Sequence, residues 1–113
     1  MRDLPRLTQA ETRRIPALYA TDGVPMSEKV AQARYFFGGR SAFYVLERDP
    51  STGEMFGFWI SEHGNDLNEL TYADAQTMRE VRAEKDRFFS PKNLIEAIKS
   101  REGGNAVPSW WGE

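Results

Sequence analysis

A chain of 113 residues, 40% hydrophobic and 28% charged, has the size of one domain around one core. It contains no cysteine, which excludes disulfides, thiolate nucleophiles and Cys-ligated zinc and suits a reducing cytoplasm. Met1 to Arg6 lacks the apolar run of a secretion signal, no stretch approaches the ~18 apolar residues of a membrane span, and a net charge of −2 is too small for a full mimic of DNA.

Thr8 and Glu11 have the spacing of a capping box, so a short helix should begin there and stop near Arg14 or Ile15, ahead of Pro16. Ala17-Leu18-Tyr19 reads as an apolar anchor, followed by a polar loop from Thr21 to Glu28. Three short aromatic runs come next, and they hold eight of the chain's fourteen aromatic residues. Ala31 to Phe37 is the first expected strand, Gly38-Gly39 a tight turn, Ser41 to about Arg48 the second strand, and Met55 to Ser61 the third. Between the last two, Asp49-Pro50-Ser51-Thr52-Gly53 has the residues of a closed turn. His63 to Asp66 is a further turn, and Glu69-Leu70-Thr71 a short fourth strand.

Thr71 with Asp74 resembles a second cap, leading into a helix whose Ala75, Met78 and Val81 share one face. Arg79 to Arg87 carries seven charged residues in nine and reads as a solvated face or loop. Ser90 and Pro91 signal the start of a last helix with Leu94, Ile95 and Ile98 as its apolar stripe, ended by Gly103-Gly104. The expected fold is α+β, a three- to four-stranded antiparallel meander packed on one face by two or three short helices. Residues 1–104 form that single domain, and 105–113 a tail whose Trp110-Trp111 either docks or stays flexible. In the third strand Phe56, Phe58 and Ile60 alternate with Met55, Gly57 and Trp59, and the second set leaves a face, gapped at Gly57, that wants cover from the tail or a partner.

Ile15-Pro16-Ala17-Leu18-Tyr19, Arg34-Tyr35-Phe36-Phe37, Phe43 to Asp49, Phe56 to Ile60 and Arg87 to Lys92, taken in order, resemble the DUF2958 family over roughly residues 8 to 98. The chain departs from that pattern at Glu69-Leu70-Thr71-Tyr72-Ala73-Asp74. The resemblance implies a setting on plasmids, integrative elements or phages rather than a reaction, and it gives no catalytic residue to carry over; no cofactor is expected.

The inventory for catalysis is small. His63, the one histidine, lies beside Glu62 and Asp66 and offers a conceivable metal or acid-base site, without the spacing of a known ligand motif. Charge changes sign along the chain: residues 47 to 74 carry seven carboxylates against Arg48 alone, while both flanks are basic. That stretch supports a protein-binding surface of Glu47, Asp49, Glu54, Glu62 and Asp66, with Trp59, Trp110 and Trp111 as aromatic anchors. The expectation is therefore a non-enzymatic binding protein of a mobile element or phage. Its partner would be a host nucleic-acid-targeting defence protein, occluded in the manner of anti-CRISPR or anti-restriction proteins. The alternative is a nucleic-acid-binding protein using Arg2, Arg6, Arg13 and Arg14 with the sheet aromatics as a stacking surface.

Overall fold

The protein is described by a computed structural model covering residues 7–112, apart from the side chain of Trp110. Helix α1 (Gln9–Arg14) is capped as its sequence predicts: the Glu11 amide donates to Thr8 Oγ1 at 3.1 Å and the Thr8 amide to Glu11 Oε1 at 2.7 Å. It stops at Ile15, whose backbone is extended ahead of Pro16. Ile15 is buried and Tyr19 exposed, so the anchor expected at Ala17 to Tyr19 is supplied by the isoleucine.

Among the described residues seven strands follow in chain order: β1 (Val30–Ala31), β2 (Ala33–Phe37), β3 (Ser41–Arg48), β4 (Met55–Ile60), β5 (Glu69–Ala73), β6 (Glu84–Lys85) and β7 (Lys92–Asn93). Five of them form one antiparallel sheet in the order β5-β4-β3-β2-β6, and β1 pairs with β7 in a separate ribbon. The class is α+β with an antiparallel meander, as expected, but the strand count is higher. The first expected strand is interrupted at Gln32, and the charged run reads as loop although Glu84 and Lys85 pair with Phe36 and Tyr35. Asp86 reinforces that edge by donating its amide to the Arg34 carbonyl at 2.8 Å.

Of the three α-helices among the described residues, two start later than predicted. Helix α2 (Ala75–Glu80) is capped by Asp74, which bonds the Thr77 amide at 2.9 Å, while Thr71 belongs to β5. Helix α3 (Leu94–Arg101) is capped by Asn93 because Lys92 and Asn93 are held extended against β1. Among the described residues no helix is long and apolar enough to cross a membrane.

The helices cover both faces of the sheet, in place of the one face expected. Tyr44, Leu46, Phe58 and Ile60 pack under Leu94 and Ile98 of α3 and under Trp111. Tyr35, Phe37, Phe43, Val45 and Met55 pack under Ile15 beyond α1 and Met78 of α2. Strand β3 is consequently buried on both sides, and its near-continuous apolar run follows from that position.

The alternation in β4 is as predicted, with Phe56, Phe58 and Ile60 on the α3 side and Met55 and Trp59 on the other. The gap at Gly57 is not a vacancy. A Cβ there would meet the Tyr44 carbonyl oxygen at 1.9 Å, so β3 itself occupies the space. The close approach lies beside a β-bulge: Val45 pairs with Gly57 but Glu47 pairs with Phe56, leaving Leu46 as the extra residue. The Trp tail docks on the opposite face, where Trp111 lies 4.4 Å from the Phe58 ring.

Candidate functional site

The bulge at Leu46 has a second effect, because one extra residue moves everything after it to the other face of the strand. Glu47 is thereby placed on the same side as Phe56 and Tyr72, its successive cross-strand neighbours on β4 and β5. Its carboxylate, only 3% exposed, accepts the Tyr19 amide at 2.8 Å, the Thr21 amide at 3.0 Å and the Thr21 hydroxyl. Lys29 Nζ completes the clamp with a 2.6 Å bond to the Thr21 carbonyl.

This buried clamp holds Tyr19 at φ 71°, a left-handed conformation that costs a non-glycine residue about 1 kcal/mol. The side chain so placed is 62% exposed, beside a Tyr72 that is 43% exposed. Tyr72 lies 5.0 Å from the Phe56 ring. The Tyr72 phenol is pushed up to about 12, chiefly by its contact with the Tyr19 side chain, with the charges of Glu47 and Glu54 adding to the effect. Tyr19, Phe56 and Tyr72 thus make an aromatic shelf at the end of the sheet, and Glu54 lies two residues before Phe56, the cross-strand partner of Tyr72.

The remaining predicted residues divide among distant places. Asp49 turns its carboxylate inward on the β3–β4 turn, accepting the Ser51 amide at 2.8 Å. Glu62 accepts the Gly39 and Arg40 amides at 2.7 and 3.2 Å, which hold its pKa below the ordinary value. Glu62 and Asp66 follow β4 whereas Asp49 and Glu54 precede it, so the two acidic pairs are separated by the six-residue strand, roughly 20 Å. The single acidic surface expected from the sequence is therefore two surfaces. Glu47 is corrected from a partner-facing carboxylate to a buried one, since a loop that carries three unpaired donors needs an acceptor.

Trp111 is likewise corrected from a partner anchor to a core residue, at 3% exposure. Trp59 is half-buried and packs with its ring tilted against Phe37 and Phe43, at 4.7 and 5.9 Å, opposite to the Tyr shelf. Arg13 and Arg14 are on the exposed side of α1, where Arg14 Nη2 bonds the Gln32 carbonyl at 3.1 Å. Arg2, Arg6 and the Trp110 side chain lie outside the described residues. The sheet aromatics proposed as a base-stacking surface are mostly enclosed by the helices on both faces.

The largest network of charged side chains among the described residues is centred on Arg34 and has no signature in the sequence pattern of acidic residues. Arg34 points from β2 to the α3 side, bonding Asp86 Oδ2 at 3.1 Å, Glu102 Oε2 at 2.9 Å and the Tyr44 hydroxyl at 3.1 Å. Tyr44 donates to Glu102 at 2.7 Å, and Arg101 reaches Asp86 at 2.5 Å. Burial opposes the charge on Arg34, but its bonds to Glu102 and Tyr44 outweigh this and raise its pKa further. Burial and the Glu102 bond push the Tyr44 phenol up. The visible signal was an arginine alternating with buried aromatics in a strand. The network floors an open cleft of about 990 Å³ between the Gly38-Gly39 and Gly103-Gly104 turns. Its acids are already matched by arginines, and its physical role is to tie β6 and the end of α3 to the sheet.

His63 is 78% exposed in its turn with Glu62 Oε2 at 3.8 Å. Among the described residues no three His, Asp or Glu side chains converge as a metal-ligand set. In comparisons with protein-family models, with curated proteins and with solved structures, the chain finds no match.

Proposed function

We propose that this chain is a non-enzymatic protein-binding module that occludes its partner through the Tyr19–Phe56–Tyr72 shelf and the carboxylate of Glu54. The observation that carries this reading is the buried Glu47 clamp, which bonds the amide of an exposed tyrosine whose backbone is held in the left-handed region. Rigid, exposed tyrosines supply contact area at low entropic cost, and a neighbouring carboxylate favours a basic counter-surface. The family resemblance in the sequence supports a mobile-element or phage setting, in which a host nucleic-acid-targeting defence protein is the fitting target. In this reading the partner's own basic surface, built to hold nucleic acid, is what the shelf covers.

The test is site-specific photo-crosslinking in host lysate, with a benzophenone side chain placed at Tyr72 or, as a control, at the exposed Phe88. The expected result is one partner crosslinked from position 72 and not from 88, lost on Tyr19→Ala. Equal labelling from both positions would refute the reading. So would the absence of any protein adduct together with a salt-dependent shift of labelled single-stranded DNA.

A further inference from the structure

Resting on that reading, we infer that the partner contributes an extended basic segment that adds to the sheet as a sixth strand along β5. The sheet ends at β5 on one side and at the two-residue β6 on the other, so among the described residues β5 is its one long edge. Ala73 is buried, whereas Glu69 to Tyr72 are exposed or half-buried, leaving four residues of ladder for a guest. An edge of this kind presents unpaired N–H and C=O groups in register, and an added strand satisfies them.

The side chains flanking the edge define the guest. Alternation puts Leu70 and Tyr72 on one face of β5 and Glu69 and Thr71 on the other. Beside Leu70 lies a pocket of about 220 Å³, formed with Phe58, Pro108, Trp111, Asn68 and Asn105, which suits one aliphatic side chain. A guest residue opposite Tyr72 lies beside its ring, and alternation puts Glu54 on the face of Phe56, the partner of Tyr72, so a Lys or Arg there gains a cation–π contact and an opposite charge nearby. A guest residue opposite Glu69 meets a carboxylate. The ion pairs among the described residues leave out Glu54, Asp66 and Glu69, so these charges are available. The resulting pattern is basic, any residue, aliphatic, basic. A second copy of this chain fits less well, because it brings the same carboxylates to the shared edge.

The experiment uses the whole isotope-labelled chain and a fluorescein-labelled probe peptide, Val-Arg-Thr-Leu-Lys-Val, with a control in which Glu replaces Arg and Lys. Binding is followed by fluorescence anisotropy and by amide hydrogen exchange. The expected result is binding of the basic peptide only, exchange at outward amides of Glu69 to Tyr72 slowed at least ~10-fold, and ~10-fold weaker binding for Glu69→Lys and for Tyr72→Ala. Glu69 is exposed, so its variant keeps the test valid should Tyr72→Ala disturb the shelf. No binding, equal binding of the acidic control, or binding without protection of β5 would overturn strand addition. Protection of β5 that rises with protein concentration alone would assign the edge to a second copy and overturn it as well. Any of these results together with a specific crosslink from position 72 removes only the strand-addition mode, whereas loss of the crosslink removes the binding surface itself.

Discussion

Gly57→Ala should be among the most damaging single-methyl changes available to this protein. The added Cβ would lie 1.9 Å from the Tyr44 carbonyl oxygen and 3.1 Å from Phe43 Cζ. Ordinary contact begins near 3.4 Å, so β3 and β4 would have to separate by roughly 1.5 Å, about a third of the ~4.8 Å strand spacing. Neither strand has room to yield, because β3 is buried on both faces and β4 is held between β3 and β5. Overpacking of this kind costs about 1–3 kcal/mol. Two ladder bonds weakened beside the bulge add about 1 kcal/mol each, for a total of about 3–5 kcal/mol. For a domain of this size that corresponds to a fall in Tm of roughly 12–20 °C. Urea titration and thermal melts followed by circular dichroism measure both quantities. A variant within about 2 °C of the parent would refute the argument, and would mean that the bulge relaxes around a methyl group.

Trp111→Ala should cost about 3 kcal/mol, since it empties the space above Phe58, and ending the chain after Pro108 should do the same in thermal melts. Glu47→Ala should leave the Tyr19 and Thr21 amides without their acceptor, cost about 2 kcal/mol, and speed amide exchange at both residues before the rest of the fold opens. The pH dependence of stability should report Glu11. Burial raises its pKa, but the bonds from Lys85 and Thr8 outweigh burial, and the net shift is downward. A carboxyl depressed in the folded state stabilises above its unfolded pKa and loses that contribution as pH falls through the folded one. Glu11→Gln should therefore cost about 2 kcal/mol at neutral pH, with the difference in urea midpoint narrowing below about pH 4.

Local rules account for much of the fold. The Thr8–Glu11 box, the Gly38-Gly39 turn, the Asp49-to-Gly53 turn and the alternation of β4 each depend on neighbours within a few residues, and each forms as read. The errors share a cause. Glu84-Lys85 and Lys92-Asn93 have no strand propensity of their own and become extended only because β2 and β1 offer edges to pair with. That same recruitment moved the start of α3 from Ser90 to Asn93.

For the candidate site, the aromatic and acidic composition was visible but its geometry was not. By itself the sequence determined an α+β class, three aromatic strands with their facing, and a region rich in carboxylates. Only the tertiary structure decided which of those carboxylates meet solvent. One extra residue at Leu46 turned Glu47 inward to clamp Tyr19, and strand length set Glu62 and Asp66 far from Glu54. Periodicity is encoded residue by residue, whereas a bulge exists only between two paired strands, and so the face that Glu47 occupies could not be read from either strand alone.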